Sequence, residues 1–376
     1  MDADAKRAAS SELTRGFRIL EETRLLHPVV AVPARNEAER LPALLRSLSR
    51  QTWLRQGRRL TVVVVLNNCT DSSAAVLHDA ARCHPSLDLV GVEVTFAAAD
   101  AHVGSARRLA LETAWTRAGC SDAAVLITTD ADARPTENWV DANLTAIAHG
   151  ADLVGGHIIG DPEEEARLGS AFLRLSAKHL QYAVIADRLA AIVDPLPHDP
   201  LPRHSDHTGA SLAVLGPVYA AVGGMPSLPF REDLAFVSRV RAAGYRLRHA
   251  PNVRVQVSAR LEGRAPGGMA DCLRHWVAEA GAQRPHLVEA PDLIMGRLQR
   301  RRAIRDLVTA DPVTQTEVLR GLGLPEIAPL SQAEIAALVE RLVPDEPDAA
   351  ETVPVEEAIA AIERIIAMTE GQRLAA

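Results

Sequence analysis

A doubly wound α/β sheet is the fold class that this sequence predicts, and two observations carry it. Short apolar runs without polar alternation, Val29–Pro33 (VVAVP), Val62–Leu66 (VVVVL) and Ala123–Ile127, recur between segments of helical period. Strands that are apolar at every position suit a sheet covered on both faces. Their alternation with helices at this spacing implies right-handed βαβ units. Ligands are then expected in the crevice at the carboxyl ends of those strands.

Taken in order, residues 1–26 read as an N-terminal helical arm. The VVAVP strand leads into a helix from about Ala38 to Arg50, with Leu41, Leu44, Leu45 and Leu48 on one face. After VVVVL come a helix over Ser72–Arg82, a strand at Leu87–Val94 and a helix over Val103–Ala118. The run Ala123–Ile127 is followed by a helix opening near Thr136. Past Val154 the alternation turns irregular. Residues 163–192 read as one long helical stretch, with Leu168, Phe172, Leu175 and Leu180 as its buried stripe. A loop rich in Pro and His covers Pro195–Thr208, then a strand-like GASLAVLG, a helix over Asp233–Ala243 and strands near Arg246–His249 and Val253–Val257. From Arg284 onward helices dominate, with an acidic linker VPDEPDAAETVPVEE. These shifts predict three parts: the arm 1–26, a central domain 27–283 and a C-terminal helical extension 284–376.

Composition narrows the function. A chain of 376 residues with 47% apolar and 24% charged positions is globular rather than disordered. Aromatics are only 3%, so the core must come from Ala, Val, Leu and Ile. The 48 acids against 41 bases leave a charge of −7, which disfavours a nucleic-acid partner. Cys69, Cys83, Cys120 and Cys272 form no CxxC pair and are too scattered for a zinc ribbon or a disulfide framework. A reducing cytoplasm is the expectation. The start MDADAKRAASSELTRGF lacks an apolar core, so no secretory signal is expected, and no apolar stretch approaches a membrane span.

The strongest chemical signal is Thr128-Thr129-Asp130-Ala131-Asp132, at the carboxyl end of an apolar run. Two carboxylates two residues apart on a turn can face one hard divalent cation such as Mg²⁺ or Mn²⁺, shared with substrate phosphates. The plainer reading is an acidic turn with Asx capping. Its place at the predicted crevice favours the metal.

Together with this motif, the pieces VPARNEAERLP, VVVVLNNCTD, VGSARRLAL, LITTDADARP, HTGASLAV, VGGMP, FREDLAF and VSARLEGRAPGG occur in one order across residues 28–281. In them the chain resembles the family-2 glycosyltransferases, nucleotide-sugar enzymes of the GT-A fold. The resemblance implies that GT-A sheet, a Rossmann-like mixed sheet, for the central domain. It places a base pocket at Pro33, Arg35 and Glu37, with Asn67 or Asn68 and Asp71 nearby. Arg35 stands where a Tyr is common in the family, and Asn67 where an Asp often accepts from uracil. An Asn carbonyl still accepts, so UDP is favoured; the plainer reading of both asparagines is a strand-exit turn.

Gly104 and Arg107 match the family's helix start, where glycine permits close backbone approach and arginine can meet a phosphate. Arg107 could equally pair with an Asp of the metal loop. Arg260 and Arg264, among the glycines of VSARLEGRAPGG, correspond by resemblance to a segment closing over the donor diphosphate, against the simpler reading of a surface loop. His207, Gly209, Ala210 and Ser211 fall on the acceptor side. Glu232 and Asp233 match the family's acidic pair, whose second member faces the acceptor, so Asp233 is the expected base and Glu232 the second choice. Acids at a helix start are also ordinary dipole partners.

Three further features carry less. His198, His204 and His207 cluster without a helical ligand spacing, so zinc is not expected there. His249 reads as a structural histidine or an additional metal ligand. The run RLQRRRAIR over Arg297–Arg305 reads as a solvated helix face, with an anionic membrane or acidic partner as the other option. The expectation is a cytoplasmic, metal-dependent, inverting hexosyltransferase, passing sugar from a UDP-type donor to a soluble, small-molecule or lipid-linked acceptor. A non-catalytic nucleotide-sugar scaffold is the alternative. A nucleotidyltransferase is disfavoured because PARNE stands where its Gly-rich first loop would be.

Overall fold

The structure is a computed structural model that describes residues 23–55, 57–263, 267–321, 329–345 and 351–375. Most of the predicted N-terminal arm therefore lies outside the described residues; 23–25 are helical. The described residues fall into two compact units. The first comprises those within Met1–Gly160, Asp206–Phe236 and Arg246–Ser258, the second those within Asp161–Ser205, Val237–Tyr245 and Ala259–Ala376.

The first unit is built on an eight-stranded sheet in the order β3-β2-β1-β4-β7-β6-β8-β5. Its strands are β1 (His27–Ala34), β2 (Leu60–Asn67), β3 (Leu87–Val94), β4 (Ala124–Thr128), β5 (Arg134–Pro135), β6 (Leu153–Gly160), β7 (Leu212–Leu215) and β8 (Leu247–Val257). β1, β2, β3 and β4 run parallel, as expected from their unbroken apolar runs. β7 is antiparallel to both β4 and β6, which makes the sheet mixed.

Helix α1 (Leu41–Ser49) buries Leu41, Leu44, Leu45 and Leu48, the stripe its period predicts. Helix α2 (Ser73–Cys83) packs on β3, and helix α3 (Val103–Arg117) packs on β1 and β2. Helix α4 (Trp139–Ala148) lies against β8. Helix α7 (Gly216–Ala221) follows β7. Because β1 and β2 pair Ala34 with Leu66, their exits lie level.

Two segments differ from the sequence expectation. The strands anticipated near 246–249 and 253–257 are one strand, β8, whose pairing with β6 shifts register between Gly156 and His157. The irregularity absorbs the Pro251–Asn252 step without breaking the ladder. In the second unit, the long stretch 163–192 is two helices, α5 (Pro162–Arg167) and α6 (Ser170–Val193), split at Gly169, whose φ is 96°. That left-handed conformation is cheap only for glycine. Within α6, Phe172 is buried but Leu180 is exposed, because eight residues turn an α-helix about 80° away from the starting face.

Helix α8 (Glu232–Ala242) contributes to both units along the chain. The rest of the second unit is helical: α9 (Met269–Gly281), α10 (Pro291–Asp306), α11 (Pro312–Gly321), α12 (Gln332–Leu342) and α13 (Val355–Ala375). Part of the expected acidic linker is ordered here as strand β10 (Thr352–Pro354), which pairs antiparallel with β9 (Leu287–Glu289). Val355, directly after it, is buried against Val288, Ala358 and Ile359, which offsets the cost of ordering the segment. Residues 161–205, assigned from sequence to the central domain, group with the C-terminal helices.

Candidate active site

The carboxyl ends of β1 and β2 are clasped by side-chain bonds to backbone. Asn36 and Asn68 take left-handed conformations, with φ 53° and 48°, which asparagine tolerates better than most residues. Asn36 Oδ1 accepts from the Thr70 amide at 2.8 Å. Asp71 accepts from the Ala38 amide at 3.0 Å and from the Ser73 amide and hydroxyl at 3.0 and 2.6 Å. Partial burial would raise the Asp71 pKa, but the Ser73 and Ala38 bonds outweigh it and hold the carboxyl below the ordinary value. Asp71 thus ties the two exit loops together. Glu37 is buried, and its amide donates to Ser73 Oγ at 3.0 Å. Pro33 stands one residue before the end of β1, and exposed Arg35 donates to the Ala101 carbonyl at 2.8 Å.

The two asparagines separate clearly. Asn68 closes onto Phe96, donating to its carbonyl and accepting from its amide, both at 3.0 Å. Asn67, 2% exposed, donates Nδ2 to the His102 carbonyl at 3.2 Å, while its Oδ1 has no partner. That bond orients the amide and leaves Asn67 Oδ1 a buried acceptor.

Helix α3 begins with Gly104, where an added Cβ would lie 2.0 Å from the Leu228 carbonyl oxygen. The glycine therefore serves close packing of the helix start against the 228 segment. One turn on, the Arg107 side chain is 4% exposed and binds protein on every side. Its Nε donates to Glu232 Oε1 at 2.9 Å, Nη1 to Thr128 Oγ1 at 3.0 Å and to the Gly209 carbonyl at 2.7 Å, and Nη2 to Asp130 Oδ1 at 2.9 Å. Burial alone would lower its pKa, but the carboxylates of Asp130, Glu232 and Asp233 outweigh burial and raise it further.

Asp130, Ala131 and Asp132 leave the end of β4, with Ala131 buried and Asp130 and Asp132 partly exposed. Beside them runs the loop of His207, Gly209, Ala210 and Ser211. The Gly209 amide donates to Asp233 Oδ2 at 2.7 Å, and the Ala210 carbonyl accepts from Thr129 Oγ1 at 2.8 Å. Ser211 Oγ accepts from the Trp139 indole at 2.9 Å. Glycines let this loop press close: a Cβ at Gly156 would meet Ser211 Oγ at 2.1 Å, and one at Gly209 would meet Arg107 Cζ at 2.3 Å. His207 Nδ1 and His249 Nε2 lie 3.0 Å apart, sharing a proton between this loop and β8. Three carboxylates, Asp130, Glu232 and Asp233, surround one guanidinium, so the site is rich in negative charge and its donor set of hard oxygens suits a divalent cation.

The structure thus brings residues 33–37, 67–71, 104–107, 130–132, 207–211 and 232–233 to the carboxyl ends of β1, β2 and β4 in the first unit's sheet. Arg260 belongs to the second unit, and Arg264 lies outside the described residues. Thr128 and Thr129 were quoted with the acidic motif but given no role from sequence, although their hydroxyls bind Arg107 and the Ala210 carbonyl. Two threonines directly before an acidic pair were the available signal. Among the described residues, no helix is long and apolar enough to cross a membrane.

Residues 29–188 match the model of the family described as Glycosyl transferase family 2. Among solved structures, the chain is similar to the mannosyltransferase PcManGT from Pyrobaculum calidifontis in complex with GDP-Man and Mn²⁺, at 19% identity over 85% of this chain and 88% of that one, with a TM-score of 0.42. It is also similar to S. aureus TarS in complex with UDP-GlcNAc, at 15% identity over 79% and 80% of the two chains, with a TM-score of 0.44. No curated protein matches the chain. The family match covers residues 29–188, the stretch of chain that runs from β1 to β6 of the mixed α/β sheet.

Proposed function

We propose that this chain is a glycosyltransferase that moves a sugar from a UDP-type donor to an acceptor hydroxyl with inversion, using Asp233 as base. The observation that carries the reading is the Asp233 carboxylate held against the Gly209 amide at 2.7 Å, on the loop that Arg107 ties to Asp130. Three stretches far apart in sequence, 130–132, 207–211 and 232–233, thereby meet where a donor and an acceptor could approach each other. The nucleotide base would lie at the exits of β1 and β2. There Asn67 Oδ1 would accept an N–H from a base that offers one next to a carbonyl, as uracil does. Asp132 and Asp130 would hold a Mn²⁺ or Mg²⁺ ion, which supplies Lewis-acid stabilisation to a departing diphosphate.

The remaining chemistry belongs to the chain. The acceptor hydroxyl must lose a proton as it attacks the anomeric carbon from the face opposite the leaving group. The Gly209 amide orients Asp233 Oδ2, and the Leu234 amide, at 2.8 Å, orients Oδ1. A carboxylate so fixed can take the proton without reorganising. Glu232 is committed to Arg107 and has 4% of its side chain exposed, so it is the poorer base. The acceptor would be a soluble small molecule or a lipid-linked one, met in the cytoplasm.

Asp233→Asn keeps an oxygen for the Gly209 amide but cannot take a proton. It should retain nucleotide affinity in Mn²⁺ and lose transfer by about 10²–10⁴-fold. Turnover near that of the wild type, or a product keeping the donor's anomeric configuration, would refute the base assignment.

A further inference from the structure

The contacts of Arg107 divide two acidic pairs in the same way. From the pair at 130 and 132 the guanidinium binds Asp130, and from the pair at 232 and 233 it binds Glu232, each at 2.9 Å. A third contact reaches the Gly209 carbonyl at 2.7 Å, on the loop whose amide holds Asp233. Four of the five N–H groups of an arginine are engaged by these bonds and by Thr128, so a bidentate grip on a phosphate is closed to it. With 3% of the residue exposed, Arg107 also has little surface from which to meet a ligand.

We propose that Arg107 is a positioning residue that sets the metal loop, the acceptor loop and the acidic helix start relative to one another. The idea rests on the glycosyl-transfer reading. Arg107 commits Glu232 to holding geometry and sets the Asp130–Asp132 turn for the donor's cation, while Asp233 serves the acceptor's proton. A planar fork is needed because the four acceptors come from β4, the turn after it, the 207–211 loop and the start of α8; a lysine ammonium could not serve all of them at once. Gly209 is part of the device, since a Cβ there would strike the guanidinium at 2.3 Å.

The test separates positioning from stability and from direct phosphate binding. Arg107→Met leaves Glu232 buried without its cation and should lower Tm. The double variant Arg107→Met with Glu232→Gln removes that stranded charge and should recover Tm. Under the proposal, kcat for transfer, or for slow donor hydrolysis, stays down by about 10²-fold in the double variant, since loops misplaced by about 1 Å lose that much. Its affinity for UDP and for GDP with Mn²⁺, measured by calorimetry, stays within about threefold of wild type. Recovery of kcat together with Tm would reduce Arg107 to a structural residue and overturn the proposal. A loss of nucleotide affinity that parallels the loss of kcat would overturn it too, by making Arg107 a donor ligand. A wild type that turns over no nucleotide sugar would sink the glycosyl-transfer reading, and this proposal with it.

Discussion

Arg107 in the first unit and Arg301 in the second are both buried, at 3% and 1% exposure, and both lie among carboxylates, yet their electrostatic surroundings are opposite. Around Arg107, three carboxylates face one guanidinium and raise its pKa despite burial. Around Arg301, burial and the neighbouring Arg241 cation lower the pKa, and Asp345 and Glu340 only partly offset them. Arg301 also donates to the Val343 carbonyl and pairs with Glu340, which Arg241 shares at 3.0 Å. One cluster keeps a surplus of negative charge beside partly exposed Asp130, while the other spreads its charge among two arginines and two acids that lock helices together. A surplus of oxygen ligands suits a site that receives a cation; a shared network suits a scaffold.

Stability measurements should break or sharpen this contrast. Arg107→Met strands Glu232, whose side chain is 4% exposed, and should cost about 3–5 kcal/mol, as breaking a buried pair usually does. Arg301→Met should cost about 1 kcal/mol, chiefly the bond to the Val343 carbonyl, because Arg241 still serves Glu340. Denaturant titrations of both variants read the difference. A larger loss in Arg301→Met would mean that the second network, not the first, holds the critical unpaired charge.

Much of the first unit was legible in the sequence. VVVVL is apolar at every position because β2 is covered on both faces, and Leu41, Leu44, Leu45 and Leu48 recur at helical period because one face of α1 meets the core. The acidic turn could be placed because it follows a strand of the same kind. The fate of Arg107 was open: a basic residue at a helix start suits a phosphate or an acidic loop equally well. Its partners lie 21, 23, 102 and 125 residues away, beyond the reach of local pattern. Asn67 and Asn68 read alike in sequence; the approach of Phe96 to one and of the His102 carbonyl to the other distinguishes them. Leu180 was placed in a buried stripe with Phe172, but eight residues along the same helix turn it about 80° off that face and leave it exposed.

A smaller effect comes from Asp71, which is exposed and holds the exit loops of β1 and β2 together. Its folded pKa lies below the ordinary value of 3.8, so its stabilising contribution is present above that value and is lost as pH falls through the folded one. Asp71→Asn should therefore lower stability slightly at neutral pH and flatten the acid limb of the stability–pH curve. An acid limb as steep as in the wild type would show that Asp71 does not clasp the two loops.

The claim at the centre of this account is that the acidic strand ends of the first unit take a nucleotide together with a divalent cation. Titrating UDP by calorimetry into the wild-type protein and into Asp132→Ala, with and without Mn²⁺, tests it most directly. Asp132 sits on a strand-exit turn outside the apolar core, so the variant should keep its fold, with an unchanged far-ultraviolet circular dichroism spectrum. The account predicts UDP binding by the wild type that strengthens with Mn²⁺, and no such strengthening in the variant. Equal affinity in both proteins with Mn²⁺ present would contradict it.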